Sequence, residues 1–275
     1  MKVTNKLNLP EPFKSLVTKE IKELVENRYS VTELLLPTRE IILKRRYNHL
    51  LSEDVSDMVH TLFGSALHKL MEDADEGETE VKFEYQLGKH TLVGKVDKIE
   101  DDTIIDYKTC KVNKITKENF SDDYHQGMIY AYLRFMLHDI KTKKLKFYNL
   151  MKDWSKVHFG SNYPSSPIYI WEYNITDSDY FYIESFIQKK LEEIDKGFVD
   201  LPSCSEEDRW YTGTKFAVYK KEGDKRADKV FDSEQEAKDY IDNKLNGVGI
   251  INVRPGEDLK CNYYCLCSKL CKGGS

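Results

Sequence analysis

At 275 residues the chain is long enough for one substantial domain with elaborations, and its 40% hydrophobic and 12% aromatic content can bury a core, which excludes wholesale disorder. The formal net charge of −5 gives no global nucleic-acid signature, although a local basic groove is compatible with an acidic whole. The opening residues lack the apolar stretch of a signal peptide and no apolar run is long enough to span a membrane, so a soluble, cytoplasmic protein is expected. Its six cysteines are then reduced and available as ligands.

In chain order, residues 12–28 and 38–47 read as helices, with Ser30 and Thr32 as candidate caps and Pro37 as punctuation. A third helix is expected over 54–75, because Val55, Met58, Val59, Leu62, Phe63, Ala66, Leu70 and Ala74 recur at three and four. The period then changes to two, and 81–87, 91–99 and 103–108 read as consecutive strands. A helix over 122–139 follows, then strands at 145–151 and 168–173. A helix over 177–196 is capped by Thr176 and stopped by Gly197. This order implies an α/β fold with a mixed sheet flanked by helices.

The character shifts near Pro202, which divides the chain into a core over 1–200 and an extension over 201–275. Within the extension, 216–219 and 229–231 flank a turn-rich segment, and Ser233-Glu234-Gln235-Glu236 opens a helix to about residue 245. The result is a small β-β-α insertion over about 210–246. Its lysines and arginine at 215, 220, 221, 225, 226 and 229 are interleaved with Glu222, Asp224 and Asp228, which blunts their field, so a solvated hairpin is favoured over a phosphate-tracking arm with Trp210 or Phe216 stacking on bases. No role is given to residues 272–275.

The stretch from Gly94 to Lys108 carries the chemistry. With Asp101-Asp102 as a two-residue turn, Glu100 faces Thr103 and Asp97 falls opposite Asp106, Cβ atoms about 5 Å apart on one face. Facing carboxylates repel, and a divalent ion with hard oxygen ligands compensates them. Alternation puts Lys108 on the face of Asp106, where an ammonium can position a nucleophile and offset charge building on a phosphate. Asp-x-Lys alone is common, and also occurs at Asp139 to Lys141 and Asp258 to Lys260. On the preceding helix, Gly64, His68 and Glu72 share one stripe, Gly64 leaving room for a close approach beside the imidazole. On the following helix Gln126 and Tyr130 repeat the four-residue spacing.

Together Gly64-x-x-x-His68, Gly94-x-x-Asp97, Asp106-Tyr107-Lys108-Thr109 and Gln126-x-x-x-Tyr130 resemble the RecB-type exonuclease branch of the PD-(D/E)XK nuclease superfamily, over about residues 30–175. The resemblance implies a restriction-endonuclease-like core and a metal-dependent deoxyribonuclease that hydrolyses phosphodiester bonds. His68, Asp97, Asp106 and the main-chain carbonyl of Tyr107 would hold Mg²⁺ or Mn²⁺. Lys108 would position water and stabilise the transition state, with Gln126 and Tyr130 steadying the site and Glu84 at its edge. The expected partner is DNA, single-stranded or at duplex ends, in recombination, repair or phage DNA processing, and a phage-encoded chain would act in the host cytoplasm. Rival readings are an endonuclease or junction resolvase on the same core, and a catalytically silent DNA-binding scaffold.

The tail resembles the cysteine pattern of iron–sulfur members of that branch, which use one distant cysteine and three near the C-terminus ending in a five-residue gap. Here Cys261, Cys265 and Cys271 close the chain, with Cys267 between them. The sequence departs from the pattern near Leu36-Pro37-Thr38-Arg39, where many relatives place the distant ligand and this chain has no cysteine. Cys204 is the substitute, and Cys204, Cys261, Cys265 and Cys271 are assigned to a [4Fe–4S] cluster that fastens the terminal segment. Zn²⁺ at the same cysteines is the alternative, and Cys267 is an alternative to Cys265.

Overall fold

A computed structural model describes residues 1–19, 23–74, 79–158, 160 and 162–272. The chain divides into two compact units, Met1–Pro202 and Ser203–Ser275. In the first unit the elements are β1 (Lys2–Thr4), α1 (Glu11–Lys19), β2 (Arg28–Ser30), α2 (Val31–Leu34), α3 (Thr38–Arg46), β3 (Ser52–Asp54), α4 (Val55–Met58) and α5 (Thr61–Ala74). They continue with β4 (Thr79–Leu87), β5 (His90–Glu100), β6 (Thr103–Cys110), α6 (Val112–Thr116), α7 (Ser121–His138), β7 (Lys144–Met151), β8 (Ile168–Asn174) and α8 (Asp177–Gly197). Six of these strands form one mixed sheet in which β5, β6, β7 and β8 are sequential neighbours and β2 and β4 both pair with β5. Among the described residues no helix is long and apolar enough to cross a membrane.

Leu92, Val96, Ile104, Leu145 and Phe147 of the sheet share one buried core with Met128, Ile129 and Leu133 of α7 and Ile183, Ile187 and Leu191 of α8. The hairpin between β5 and β6 turns at Asp101-Asp102, with Asp101 in the left-handed region at φ 52° and Glu100 paired with Thr103. Aspartate tolerates that conformation because its short polar side chain bonds locally.

Several expectations are corrected. The helix expected over 12–28 is present as α1 only to Lys19: residues 23–27 are not helical, Asn27 is left-handed at φ 53°, and Arg28 already belongs to β2, whose Tyr29, 2% exposed, pairs in parallel with Leu92. Residues 20–22 of that expected helix lie outside the described residues. The helix expected over 54–75 is two helices, α4 and α5. Asp54 caps α4, its Oδ1 accepting from Ser56 N at 3.1 Å; residue 75 lies outside the described residues. In α5, Phe63 and Leu70 are 54% and 65% exposed while Leu67, outside the expected stripe, is buried. The short helix α6 lacks any strong periodicity and was not anticipated.

Gly197 is not a left-handed stop. It is the last residue of α8, followed by Phe198 in right-handed conformation, and a Cβ there would lie 2.2 Å from Ile42 Cδ1 and 3.1 Å from Pro202 Cδ. The glycine permits α8 to approach α3.

The second unit contains α9 (Glu206–Arg209), β9 (Lys215–Tyr219), β10 (Lys229–Phe231), α10 (Glu234–Lys244), β11 (Ile250–Arg254), a π-helical turn (Lys260–Tyr264) and α11 (Ser268–Lys272). The expected β-β-α element is a three-stranded antiparallel sheet, because β11 pairs with β9 on the side opposite β10. Its face packs on α10 through Val218, Ala237 and Ile241, with Phe216 partly buried against them, so Phe216 is a core residue and not a free stacking ring. Lys220 pairs with Asp228 at 2.6 Å and Lys215 pairs with Asp232, consistent with a solvated hairpin.

Ile42 is fully buried, so Gly197→Ala forces it aside, and the substitution is expected to destabilise the first unit by about 1–3 kcal/mol. Urea denaturation checks this: an unchanged midpoint contradicts the packing argument.

Candidate active site

The site lies where the sheet forks. Along one side, β5 pairs with β4 from His90 to Lys98. Along the other it pairs with β2 at Thr91–Val93 and with β6 only at Lys98–Glu100. Residues 94–97 therefore face a gap between β2 and β6. Asp97 stands at the mouth of that gap, one pair beyond the last ladder partners Lys98 and Ile105. Its Oδ2 accepts a hydrogen bond from Tyr107 N at 2.8 Å, so a side chain takes over where the backbone ladder stops. That bond ties Asp97 to the strand between Asp106 and Lys108.

Helix α7 brings the polar partners. Lys108 Nζ lies 2.6 Å from Asp106 Oδ2 and donates to Gln126 Oε1 at 2.9 Å. Gln126 Nε2 donates to Asp106 Oδ1 at 3.3 Å and to the Tyr130 hydroxyl at 3.1 Å. One amide thus orients the acid, the lysine and the phenol together. Gly94 makes this approach possible: a Cβ there would stand 2.7 Å from Tyr130 Cε1 and 3.0 Å from Val31 Cγ2. From the other side α5 supplies His68, whose Nδ1 lies 2.9 Å from Asp97 Oδ1. By contrast, a Cβ on Gly64 would meet nothing within 4 Å, so no protein atom makes the close approach expected of that glycine.

These groups line a cavity of about 840 Å³. Arg28, Lys69, Lys82, Lys95, Glu72 and Glu84 also border it. Arg28 pairs with Glu84, Lys95 with Glu80, and Lys69 with Glu72 at 3.1 Å, giving a rim of mixed charge around an acidic floor. Glu84 is thus at the cavity edge, tied to arginine. Tyr107 does not line the cavity; its ring stacks on Tyr148 with centroids 5.6 Å apart.

Burial raises Asp106 from its ordinary 3.8 to about 6, Lys108 pulls it down, and Asp97 pushes it up again. Lys108 is held above its ordinary value: burial disfavours its charge, but Asp106 more than offsets that. The Asp97 hydrogen bond raises the His68 imidazole against the opposing effect of burial. Tyr130 is pushed well above the usual phenol range, first by burial and then by Asp106, so it stays protonated.

Sequence reasoning missed a second buried cluster beside Lys108. Lys114 of α6 donates to Asp123 Oδ2 and, at 3.1 Å, to Asn149 Oδ1, and Asn149 is the strand partner of Lys108. No spacing signals it, since three elements contribute one residue each.

Among the described residues no three His, Cys, Asp or Glu side chains are arranged to hold a metal ion. The chemistry of the donors nevertheless suits a hard divalent cation. Two carboxylates and an imidazole converge on the floor, and Asp106 Oδ2, buried, accepts no hydrogen bond of good geometry, the Lys108 ammonium meeting it as a charge contact.

In the second unit, Cys204, Cys261, Cys265 and Cys271 lie within electrostatic reach of one another. Burial pushes the Cys204 thiol up to about 11, with Asp208 and then Cys271, Cys261 and Cys265 adding to the shift. Cys261 is likewise raised by burial, then by Cys265, Asp258 and Cys271. Cys267 is fully buried. Arg209 grips both oxygens of Asp258 at 2.7 Å, and Thr212 N donates to Glu257 O at 3.1 Å, clamping the segment after Cys204 to the segment before Cys261.

In metal-free protein Asp106 keeps its proton to about pH 6 in the fold but only to 3.8 in the unfolded chain. The fold binds the extra proton in that window, so the stability this group contributes is full below 3.8 and lost as pH rises through about 6. Asp106→Asn is expected to flatten that slope and, in chelator near neutral pH, to raise Tm by about 2–4 °C per kcal/mol of relieved charge burial. Thermal melts across pH check this; a lower Tm for the variant near neutral pH contradicts it.

No family model and no curated protein matches the chain. Among solved structures it is similar to SSO0001, with 21% identity over 66% of this chain and 83% of that one and a TM-score of 0.47. It is also similar to the alkaline exonuclease LHK-Exo from Laribacter hongkongensis, with 9% identity over 70% of this chain and 96% of that one and a TM-score of 0.39. For LHK-Exo in complex with dAMP the values are 12% identity, 64% and 91% coverage, and a TM-score of 0.40.

Proposed function

We propose that this chain is a divalent-ion-dependent deoxyribonuclease with a restriction-endonuclease-like core of the PD-(D/E)XK type, acting as an exonuclease on single-stranded or frayed DNA. The observation that carries the reading is the convergence of Asp97, Asp106, Lys108 and Gln126 at the fork of the sheet, inside a cavity with a rim of mixed charge. Asp97, Asp106 and His68, with the Tyr107 carbonyl, would hold Mg²⁺ or Mn²⁺, and such an ion when bound supplies a polarised phosphoryl oxygen and an acidified water.

The remaining chemistry belongs to the chain. Lys108, kept charged by Asp106 and aimed by Gln126, presents an ammonium to the oxygens of a scissile phosphate as negative charge builds there. Gln126 holds lysine and acid in one geometry, and protonated Tyr130 holds Gln126. Arg28, Lys69, Lys82 and Lys95 at the rim suit contacts to flanking phosphates, which position a strand without reading its sequence. The biological setting proposed is recombination, repair or phage DNA processing.

End-labelled oligonucleotides test the reading. Cleavage is expected with Mg²⁺ or Mn²⁺ and none with chelator. Asp106→Asn is expected to abolish it, and Lys108→Ala to slow it roughly 10²–10³-fold, the usual cost of losing one transition-state donor. Cleavage by Asp106→Asn at the parent rate sinks the proposal.

For the second unit we propose a [4Fe–4S] cluster on Cys204, Cys261, Cys265 and Cys271. Two desolvated thiols, Cys204 and Cys261, each raised further by neighbouring cysteines of the proposed set, support it, because bound iron relieves repulsion between thiolates. Cys265 perturbs both Cys204 and Cys261 and is taken as the ligand, with Cys267 as the alternative. Anaerobically purified protein is expected to be brown with ~4 iron and ~4 sulfide per chain. Cys204→Ser should lose most of both, and Cys267→Ser should keep them. Colourless protein carrying zinc replaces the cluster with the Zn²⁺ alternative.

A further inference from the structure

The strand register extends the candidate active site sideways. Lys108 of β6 pairs with Asn149 of β7, and Asn149 pairs with Tyr169 of β8; the adjacent row runs Asp106, Phe147, Trp171. Residues paired across neighbouring strands project from the same face. Tyr169 and Trp171 therefore share the face of Asp106 and Lys108, two strand spacings or ~10 Å away.

Tyr169, Trp171 and Tyr173 follow one another at period two and build an aromatic wall. Phe120 lies nearly parallel to Tyr169 and to Trp171, 13° between planes in both cases, and Trp171 lies at 19° to Tyr173. A cavity of about 440 Å³ opens onto these rings, with Glu118 and Tyr124 at its border. The wall is pinned from behind. The hydroxyls of Tyr124 and Tyr173 both donate to Asp179 Oδ1, at 2.7 and 2.8 Å, while Thr176 N and Oγ1 donate to Oδ2. Asp179 is 8% exposed, so the ring geometry exists before any ligand arrives, which reduces the ordering cost of binding.

The wall is not closed like a core. Tyr169 is 37% exposed, and a cation stands between it and Lys108: the Lys114 ammonium lies 5.7 Å from the Phe120 centroid and is anchored to Asn149, the residue that links Lys108 to Tyr169. Flat rings beside an ammonium, two strands from the proposed phosphate site, suit a polymer that alternates planar bases with phosphates. A base lies flat on such a wall only when it is out of a duplex.

We infer that Tyr169, Trp171 and Tyr173, backed by the buried ring of Phe120, form a stacking subsite for unpaired nucleobases two strands from the proposed reaction centre, an inference that rests on the nuclease reading above and names single-stranded DNA as its substrate class. Lys114, paired with Asp123 and bonded to Asn149, braces the sheet between subsite and reaction centre.

The test reads binding without turnover. Fluorescence anisotropy of a labelled single-stranded oligonucleotide in chelator is compared for the parent, Tyr169→Ala, Tyr169→Leu and Tyr169→Phe. Stacking on one aromatic side chain is worth enough that Tyr169→Ala should weaken binding by about 5–100-fold, and Tyr169→Phe should stay near the parent. Tyr169→Leu keeps apolar packing, so its weakened binding excludes misfolding as the cause. A strand with abasic sites in place of bases should bind the parent and Tyr169→Ala alike. Equal affinity of the parent and Tyr169→Ala for the base-bearing strand overturns the inference, as does an equal loss for the abasic strand, a preference for fully paired duplex, or no binding at all. Base-dependent binding without cleavage in Mg²⁺ or Mn²⁺ sinks the nuclease reading and leaves the stacking subsite standing.

Discussion

Two carboxylates held against each other at the fork of a sheet set the terms for the rest of the first unit. Asp106 is 2% exposed, so water screens it poorly, and the partly buried Asp97 beside it repels its charge. The fold counters that repulsion with several partners. Lys108 stands against Asp106, His68 and a backbone amide hold Asp97, and Gln126 shares its amide between acid and lysine. Even so, Asp106 remains harder to ionise than an ordinary aspartate, chiefly because burial disfavours its charge and in part because Asp97 repels it, a local excess of acid over accessible solvent.

That local excess explains architecture which otherwise looks arbitrary. The fork requires β5 to change partners from β2 to β6, and the change leaves a gap wide enough for a side chain to replace a ladder bond. The gap is covered by α7, whose Tyr130 lies against β5 only because residue 94 has no Cβ. A glycine on a strand, a tyrosine on a helix and a carboxylate three residues along that strand are therefore one device, spread over the chain and assembled by close packing.

The second unit follows a different logic. Its small three-stranded sheet and α10 form a core of their own, while the cysteine-bearing segments on either side of that sheet are joined by Arg209 Nη1, which donates to both oxygens of Asp258, and by the backbone bond from Thr212 to Glu257. Such a charge-assisted bond is stronger than a neutral one, which suits segments that must present thiols to a common point.

Period and turn chemistry are local properties, and they sufficed for the strands β4 to β8, the helices α7 and α8, and the turn at Asp101-Asp102 from which the facing of Asp97 and Asp106 follows. The sequence also named His68, Lys108, Gln126 and Tyr130, which line the same cavity. What it left undecided depends on contacts between distant residues. Tyr29 became a strand residue because Leu92 pairs with it, Gly197 is needed for a neighbour in another helix, and Gly64 meets no neighbour at all. Lys114, Asp123 and Asn149 come together only through α6, α7 and β7, and the aromatic row at Tyr169 lines up with Lys108 only through the register of β7. Register and helix docking are settled by the packing of the whole sheet, where each choice depends on all the others, and no window of sequence contains that information.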